Sequence, residues 1–88
     1  MLICNETRYL IRKIEDKYLL LDMESGEGHL LDNIGSIMFQ EITTHDMDKA
    51  ILNMMGYFDD VNKLELIKDV NDFVINLINK GVLCINDS

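Results

Sequence analysis

Proline is absent from this 88-residue chain, cysteine occurs twice, and cations number 8 against 16 acids. Without proline, no slow prolyl isomerisation step is expected in folding. The two cysteines, Cys4 and Cys84, stand at opposite ends of the chain. With no secretory signal they read as reduced thiols of a cytoplasmic protein. Met1-Leu-Ile-Cys4 is too short for a signal segment, because Asn5-Glu-Thr-Arg8 follows at once. No apolar run approaches the ~20 residues that span a bilayer, so no membrane partner is expected. The formal net charge of −8 opposes nucleic-acid binding, which rests on lysine and arginine neutralising phosphates. It opposes an anionic membrane surface on the same ground. A neutral or basic peptide is the better-matched partner, since opposite charge raises the encounter rate.

The chain also lacks the groups of a catalyst. His29 and His45 have no cysteine at metal-ligand spacing, and C-x-x-C, H-E-x-x-H, G-x-S-x-G and phosphate-cradling glycine loops are missing. Gly26-Glu-Gly28 is a lone G-x-G that a turn explains. Asp59-Asp60 and the Asp69, Asp72 pair read as helix caps and a solvated face. Acidic ligands do not alternate as a calcium loop requires. No catalytic residue, no metal ligand and no cofactor is therefore expected, and the chain is read as a non-enzyme.

What the chain does contain is one small domain, residues 1–88, with too much apolar content for a disordered segment. Tyr9–Ile14, Tyr18–Asp22 and Glu27–Leu31 are short apolar runs of strand length. Glu15–Lys17 and Met23–Gly26 separate them with turn chemistry, which predicts a three-stranded antiparallel meander. Asp32 is a helix N-cap, followed by Ile34, Ile37, Met38 and Ile42 at helical spacing. Gly35 inside that helix costs roughly 1 kcal/mol against alanine, which points to close packing on the sheet. Thr43–Asp46 caps a second helix carrying Met47, Ala50, Ile51, Met54 and Met55, with Gly56 ending it. Tyr57–Asp60 reads as a loop whose aromatic pair packs under the next helix.

Asp59 or Asp60 is the expected cap of a third helix, roughly Val61 to Lys80, with Gly81 as its terminator. Its core stripe is Ile67, Val70, Val74, Leu77 and Ile78. Leu66 and Phe73 widen one flank, and Leu64 and Ile75 the other. The apolar arc well exceeds the ~100° a surface helix needs, so something beyond the domain's own core is expected to cover part of it. Val82–Ile85 is expected to fold back as a short extended tail.

Three stretches carry a resemblance. They are Leu-Leu-Asp-x-x-Ser-Gly at Leu20–Gly26, Leu-Asp-x-x-Gly at Leu31–Gly35, and Asp-Val-x-x-Phe-Val-x-x-Leu-x-x-x-Gly-Val-Leu at Asp69–Leu83. Their joint order and spacing, over about residues 8–85, resemble the PqqD-like proteins, the recognition elements of ribosomally made, post-translationally modified peptides (RiPPs). The resemblance implies an α+β fold of winged helix-turn-helix type, a three-stranded antiparallel sheet followed by three helices. It implies a non-catalytic adaptor that binds the leader segment of a precursor peptide. The leader would add as a strand along the third strand, beside the third helix, for delivery to a modifying enzyme or leader peptidase of lasso-peptide or radical-enzyme type. Carried over, the peptide-binding residues are Glu27, Gly28, His29, Leu30 and Leu31 on the strand. On the helix, the flank Leu64, Lys68, Asn71 and Ile75 is expected to line the groove, leaving Leu66 and Phe73 to the core. Asp32 stands where many relatives carry asparagine, and Glu41–Asp46 lacks the Asp-Gly step frequent before the second helix. A monomer or weak homodimer is expected. The alternatives are a small structural or regulatory subunit, or a winged-helix DNA-binding regulator that the net charge disfavours.

Overall fold

A computed structural model describes residues 2–58 and 60–85. The elements are β1 (Leu2–Cys4), β2 (Tyr9–Ile14), β3 (Lys17–Asp22), β4 (Gly28–Leu30), α1 (Asn33–Thr44), α2 (Met47–Tyr57), α3 (Lys63–Asn79) and β5 (Leu83–Ile85). β2, β3 and β4 form the antiparallel meander, and β1 pairs with β5 in a separate two-stranded ladder. The architecture is α+β, a three-stranded antiparallel sheet followed by three helices.

Register assigns the two faces of the sheet. Tyr9 pairs with Asp22, Ile11 with Leu20, and Leu20 with His29. Tyr9, Leu20 and Asp22 are buried, so this set faces the helices. Leu10, Leu19, Leu21, Gly28 and Leu30 fall on the opposite face. On the inward side Phe39, Ile42, Met54, Leu66, Val70 and Val82 form the centre of the core. Tyr18 packs its ring 5.0 Å from that of Phe39.

Side-chain oxygens cap each helix. Asp32 Oδ1 accepts from the Gly35 amide at 2.7 Å, and Asp46 Oδ1 from the Lys49 amide at 2.8 Å. The third cap differs from expectation. Asn62 Oδ1 accepts from the Leu64 and Glu65 amides, so α3 starts two residues later than the sequence suggests. Asp60 stands in the preceding loop at φ +56, and Asp59 lies outside the described residues. Gly56 does not end α2. The helix runs on to Tyr57, where the Phe58 amide donates to the Met54 carbonyl. Phe58 packs on the core, whereas Tyr57 is exposed. Gly81 takes φ +84 directly after α3, as a glycine terminator should.

The extended tail at Val82–Ile85 has a partner that the sequence reading missed. Leu2 faces Ile85, Ile3 faces Cys84, and Cys4 faces Leu83. Both cysteines are free. Arg8 ties the start of β2 to the end of β3 by donating from Nε and Nη2 to the two Asp22 carboxylate oxygens at 3.2 and 3.0 Å. The Arg8 guanidinium holds the Asp22 carboxyl well below the usual carboxylate range against the opposing cost of its desolvation. The Glu24 and Ser25 amides add to this by donating to Asp22 Oδ1. The same carboxylate therefore organises the turn that delivers the chain into β4.

Candidate peptide-binding edge

β4 is the last strand of its sheet, and β5 turns away from it to pair with β1. Which backbone groups of β4 are free follows from the ladder. The Asp22 amide donates to the Glu27 carbonyl, and the Leu31 amide donates to the Tyr18 carbonyl, each at 2.8 Å. Between these bonded pairs lies Leu20 with His29, so the alternation of an antiparallel ladder makes Gly28 and Leu30 the non-bonded positions. Their N–H and C=O groups point away from β3. Among the described residues no backbone bond to either is recorded on that outer edge. The open edge thus offers two donors and two acceptors over one short strand.

The five expected strand residues lie together as a continuous segment. Glu27 through Leu30 are exposed, and Leu31 is half-buried against the core. His29 shares the inward parity of Leu20 yet stays exposed, because β4 lies at the margin of the helical layer. Leu30 projects on the outer face with 58% of its surface exposed.

One buried serine fixes this segment. Ser36 Oγ accepts from the Tyr18 amide at 3.0 Å and donates to the Leu31 carbonyl at 3.3 Å. It stitches the first turn of α1 to both β3 and the end of β4. A serine within a helical pattern carries no sign of such a role, since its partners come from distant strands. Gly35, one residue earlier, leaves room for the helix's own cap. A Cβ there would lie 3.1 Å from Asp32 Oδ1, 3.6 Å from Leu31 Cβ and 3.7 Å from Phe73 Cε1. Only the cap oxygen is closer than an ordinary contact, and the Leu31 and Phe73 distances are ordinary.

Phe73 is the α3 residue that comes nearest to the start of α1. Its Cε1 lies 3.7 Å from the place a Gly35 Cβ would take, and Leu31 Cβ lies 3.6 Å from the same place. Further along, Tyr9 Oη donates to the Lys80 carbonyl at 2.9 Å, which places the end of α3 at the Tyr9–Asp22 end of the sheet. Helical periodicity puts Asp69, Asn76 and Lys80 on the Phe73 side. The expected flank of Leu64, Lys68, Asn71 and Ile75 is on the other side. Asn71 lines a groove between α2 and α3 beside Ile67 and Met55, and Leu64, Lys68 and Ile75 lie three to seven residues from it on the same side. Leu64 and Ile75 are indeed uncovered, at 78% and 55% exposure. Of the four, Asn71 alone lines the groove between α2 and α3, and the apolar surface of Leu64 and Ile75 is left open.

No family model matches the chain, and the search of curated proteins returned no match. A solved structure does match: TbiB1, determined in complex with the TbiA(beta) leader peptide. The TM-score is 0.82 at 19% identity, covering 98% of this chain and 99% of that one. The two chains share one fold from end to end. Among the described residues no cluster of three or more histidine, cysteine or acidic side chains could hold a metal ion, and no helix is long and apolar enough to cross a membrane.

Proposed function

We propose that this chain is a PqqD-like RiPP recognition element that binds the leader segment of a ribosomally made precursor peptide. The leader adds as a fourth strand on the outer edge of β4. Bonds to Gly28 and Leu30 set its register, and Glu27, His29 and Leu31 line its path. The carrying observation is the unpaired edge of β4, set in a fold shared along its whole length with a protein solved with a leader peptide.

Magnitudes divide the work. Two donors and two acceptors at about 1 kcal/mol net each give roughly 4 kcal/mol, against the ~8 kcal/mol of micromolar binding. Apolar leader side chains supply the remainder, at about 25 cal/mol per Å² buried, less the entropy of association. The Leu31–Phe73 side of the edge is the apolar surface at hand. Glu27 on the strand and Glu65 and Asp69 on the facing row of α3 suit a leader of neutral or basic charge. Delivery to a modifying enzyme or leader peptidase, in a lasso-peptide or radical-enzyme pathway, follows from the same reading. DNA binding is disfavoured by the net charge of −8. On α3, Glu65, Asp69 and Asp72 offset Lys63 and Lys68.

The test is an amide-shift titration with the N-terminal segment of the precursor peptide encoded in the same gene neighbourhood. Shifts concentrated at Glu27–Leu31 and around Phe73 support the reading. Saturating shifts confined to β1, β5 or α2 would sink it.

A further inference from the structure

The open edge has a second side, on the sheet face turned away from the helices. Register sets Gly28 opposite Leu21, and Leu30 opposite Leu19, all on that face. Leu10, paired with Leu21 from the other strand, continues it. Leu10 and Leu30 are exposed, and Leu19 and Leu21 are half-buried. Among these leucines Gly28 alone contributes no side chain. A Cβ built there would meet Leu19 Cδ1 at 3.5 Å and Leu21 Cδ1 at 3.9 Å. Gly28 is therefore a notch in the strand edge, with two leucine tips as its inner wall.

Backbone geometry does not call for this glycine. The glycines at positive φ are Gly26 and Gly81. A glycine inside a strand weakens it, and it often marks a site where another backbone or a ligand comes close. Residues paired across adjacent strands project on the same face. The leader residue paired with Gly28 thus projects on the outer face beside the notch, and the residues on either side of it turn toward the helices. Crossing the roughly 4.8 Å between adjacent strands takes a long, flat side chain. An aromatic ring laid over a strand-edge glycine has that reach, and here its far edge would meet the leucine tips. Alanine or valine would stop short on the leader's own strand.

We propose that Gly28 is a specificity-determining subsite: the leader residue paired with it carries an aromatic side chain that lies across the glycine and packs on Leu19 and Leu21. This selection rests on strand addition at β4 and adds the kind of leader that the edge prefers. Main-chain bonds to Gly28 and Leu30 read no side chain, so selectivity has to come from the surfaces beside them.

The test uses the full chain and the N-terminal segment of the precursor peptide from the same gene neighbourhood. Backbone proton contacts in the bound complex, read by NMR, identify the leader residue paired with Gly28. That residue should be aromatic. Its replacement by alanine should weaken binding about ten-fold or more, as expected for losing a buried ring. Gly28→Val fills the notch with a side chain suited to a strand, and Leu19→Ala removes part of the inner wall. Gly28→Ala adds only a methyl group at ordinary contact distance and leaves the notch open. Melting checks that each variant folds. In Gly28→Val and in Leu19→Ala the aromatic and alanine leaders should differ by about three-fold or less. A short or polar residue paired with Gly28 overturns the proposal. So does an aromatic whose loss costs less than about two-fold in the wild-type chain. A ten-fold penalty that persists in both variants overturns it as well, because the ring would then lie elsewhere. A leader that fails to bind, or binds without pairing with Gly28, defeats strand addition on β4 and this subsite with it. The backbone contacts tell that failure apart from the others.

Discussion

Replacing Gly28 with proline removes a single backbone donor from the open edge and leaves the ladder to β3 intact. The Gly28 amide points outward, because the bonded pairs are Asp22 with Glu27, Leu20 with His29 and Tyr18 with Leu31. Gly28 is the first residue of β4, a position at which a sheet tolerates proline. There is room as well, since a Cβ there would sit 3.5 Å from Leu19 Cδ1 and 3.9 Å from Leu21 Cδ1, ordinary contact distances. The fold should therefore persist. Leader binding should not, because an added strand loses one bond and buries a carbonyl without a partner. That costs about 1–3 kcal/mol, or roughly 5- to 150-fold in affinity. Gly28→Ala is the control, as it keeps the amide and should stay within about two-fold of wild type. Fluorescence anisotropy of a labelled leader gives the affinities, and thermal melting confirms the fold. A folded Gly28→Pro protein that binds as tightly as Gly28→Ala would refute strand addition at this edge.

Other outcomes follow from the same structure. Asn62→Ala should lower stability by about 1 kcal/mol, or roughly 4–8 °C in Tm, by removing the cap of α3. It should leave leader affinity unchanged, and an unaltered Tm would contradict the cap assignment. Asp22→Asn should flatten the acid limb of the stability curve. The folded carboxyl titrates far below its unfolded value of about 3.9, so its contribution is full above that value and fades as pH falls toward the folded one. Melting at stepped pH should show the wild-type advantage over Asp22→Asn shrinking below about pH 4. Parallel curves would deny the Arg8–Asp22 pairing its role. Burial raises the Cys4 thiol, and the nearby Glu6 and Cys84 push it the same way. Alkylation at neutral pH, followed by mass spectrometry, should therefore modify the exposed Cys84 first. Faster labelling at Cys4 would contradict the burial.

Local chemistry made much of this fold legible. Asp32 and Asp46 cap helices, Gly26 takes φ +80 in the second turn, and Gly81 closes α3. Each of these needs only neighbouring residues to explain it. The cap of α3 was harder because Asp59, Asp60 and Asn62 are all competent acceptors within four positions. In the structure Asn62 holds the cap. β1 escaped notice because its partner lies some eighty residues away, and three apolar residues beside a terminus carry no period. The candidate site divides along the same line. The strand segment Glu27–Leu31 could be placed, since turn and cap bracket it. The helix flank could not, because an over-wide apolar arc is symmetric about its own centre. Phe73 against Gly35 breaks that symmetry, and no pattern within α3 encodes it.

Hydrogen exchange at three successive amides tests the central claim most directly. In the free protein the His29 amide is already bonded to β3, while the Gly28 and Leu30 amides face solvent. Saturation with leader should slow exchange at Gly28 and Leu30 strongly and leave His29 little changed. A bound leader that leaves Gly28 and Leu30 exchanging as in the free protein would contradict strand addition on β4.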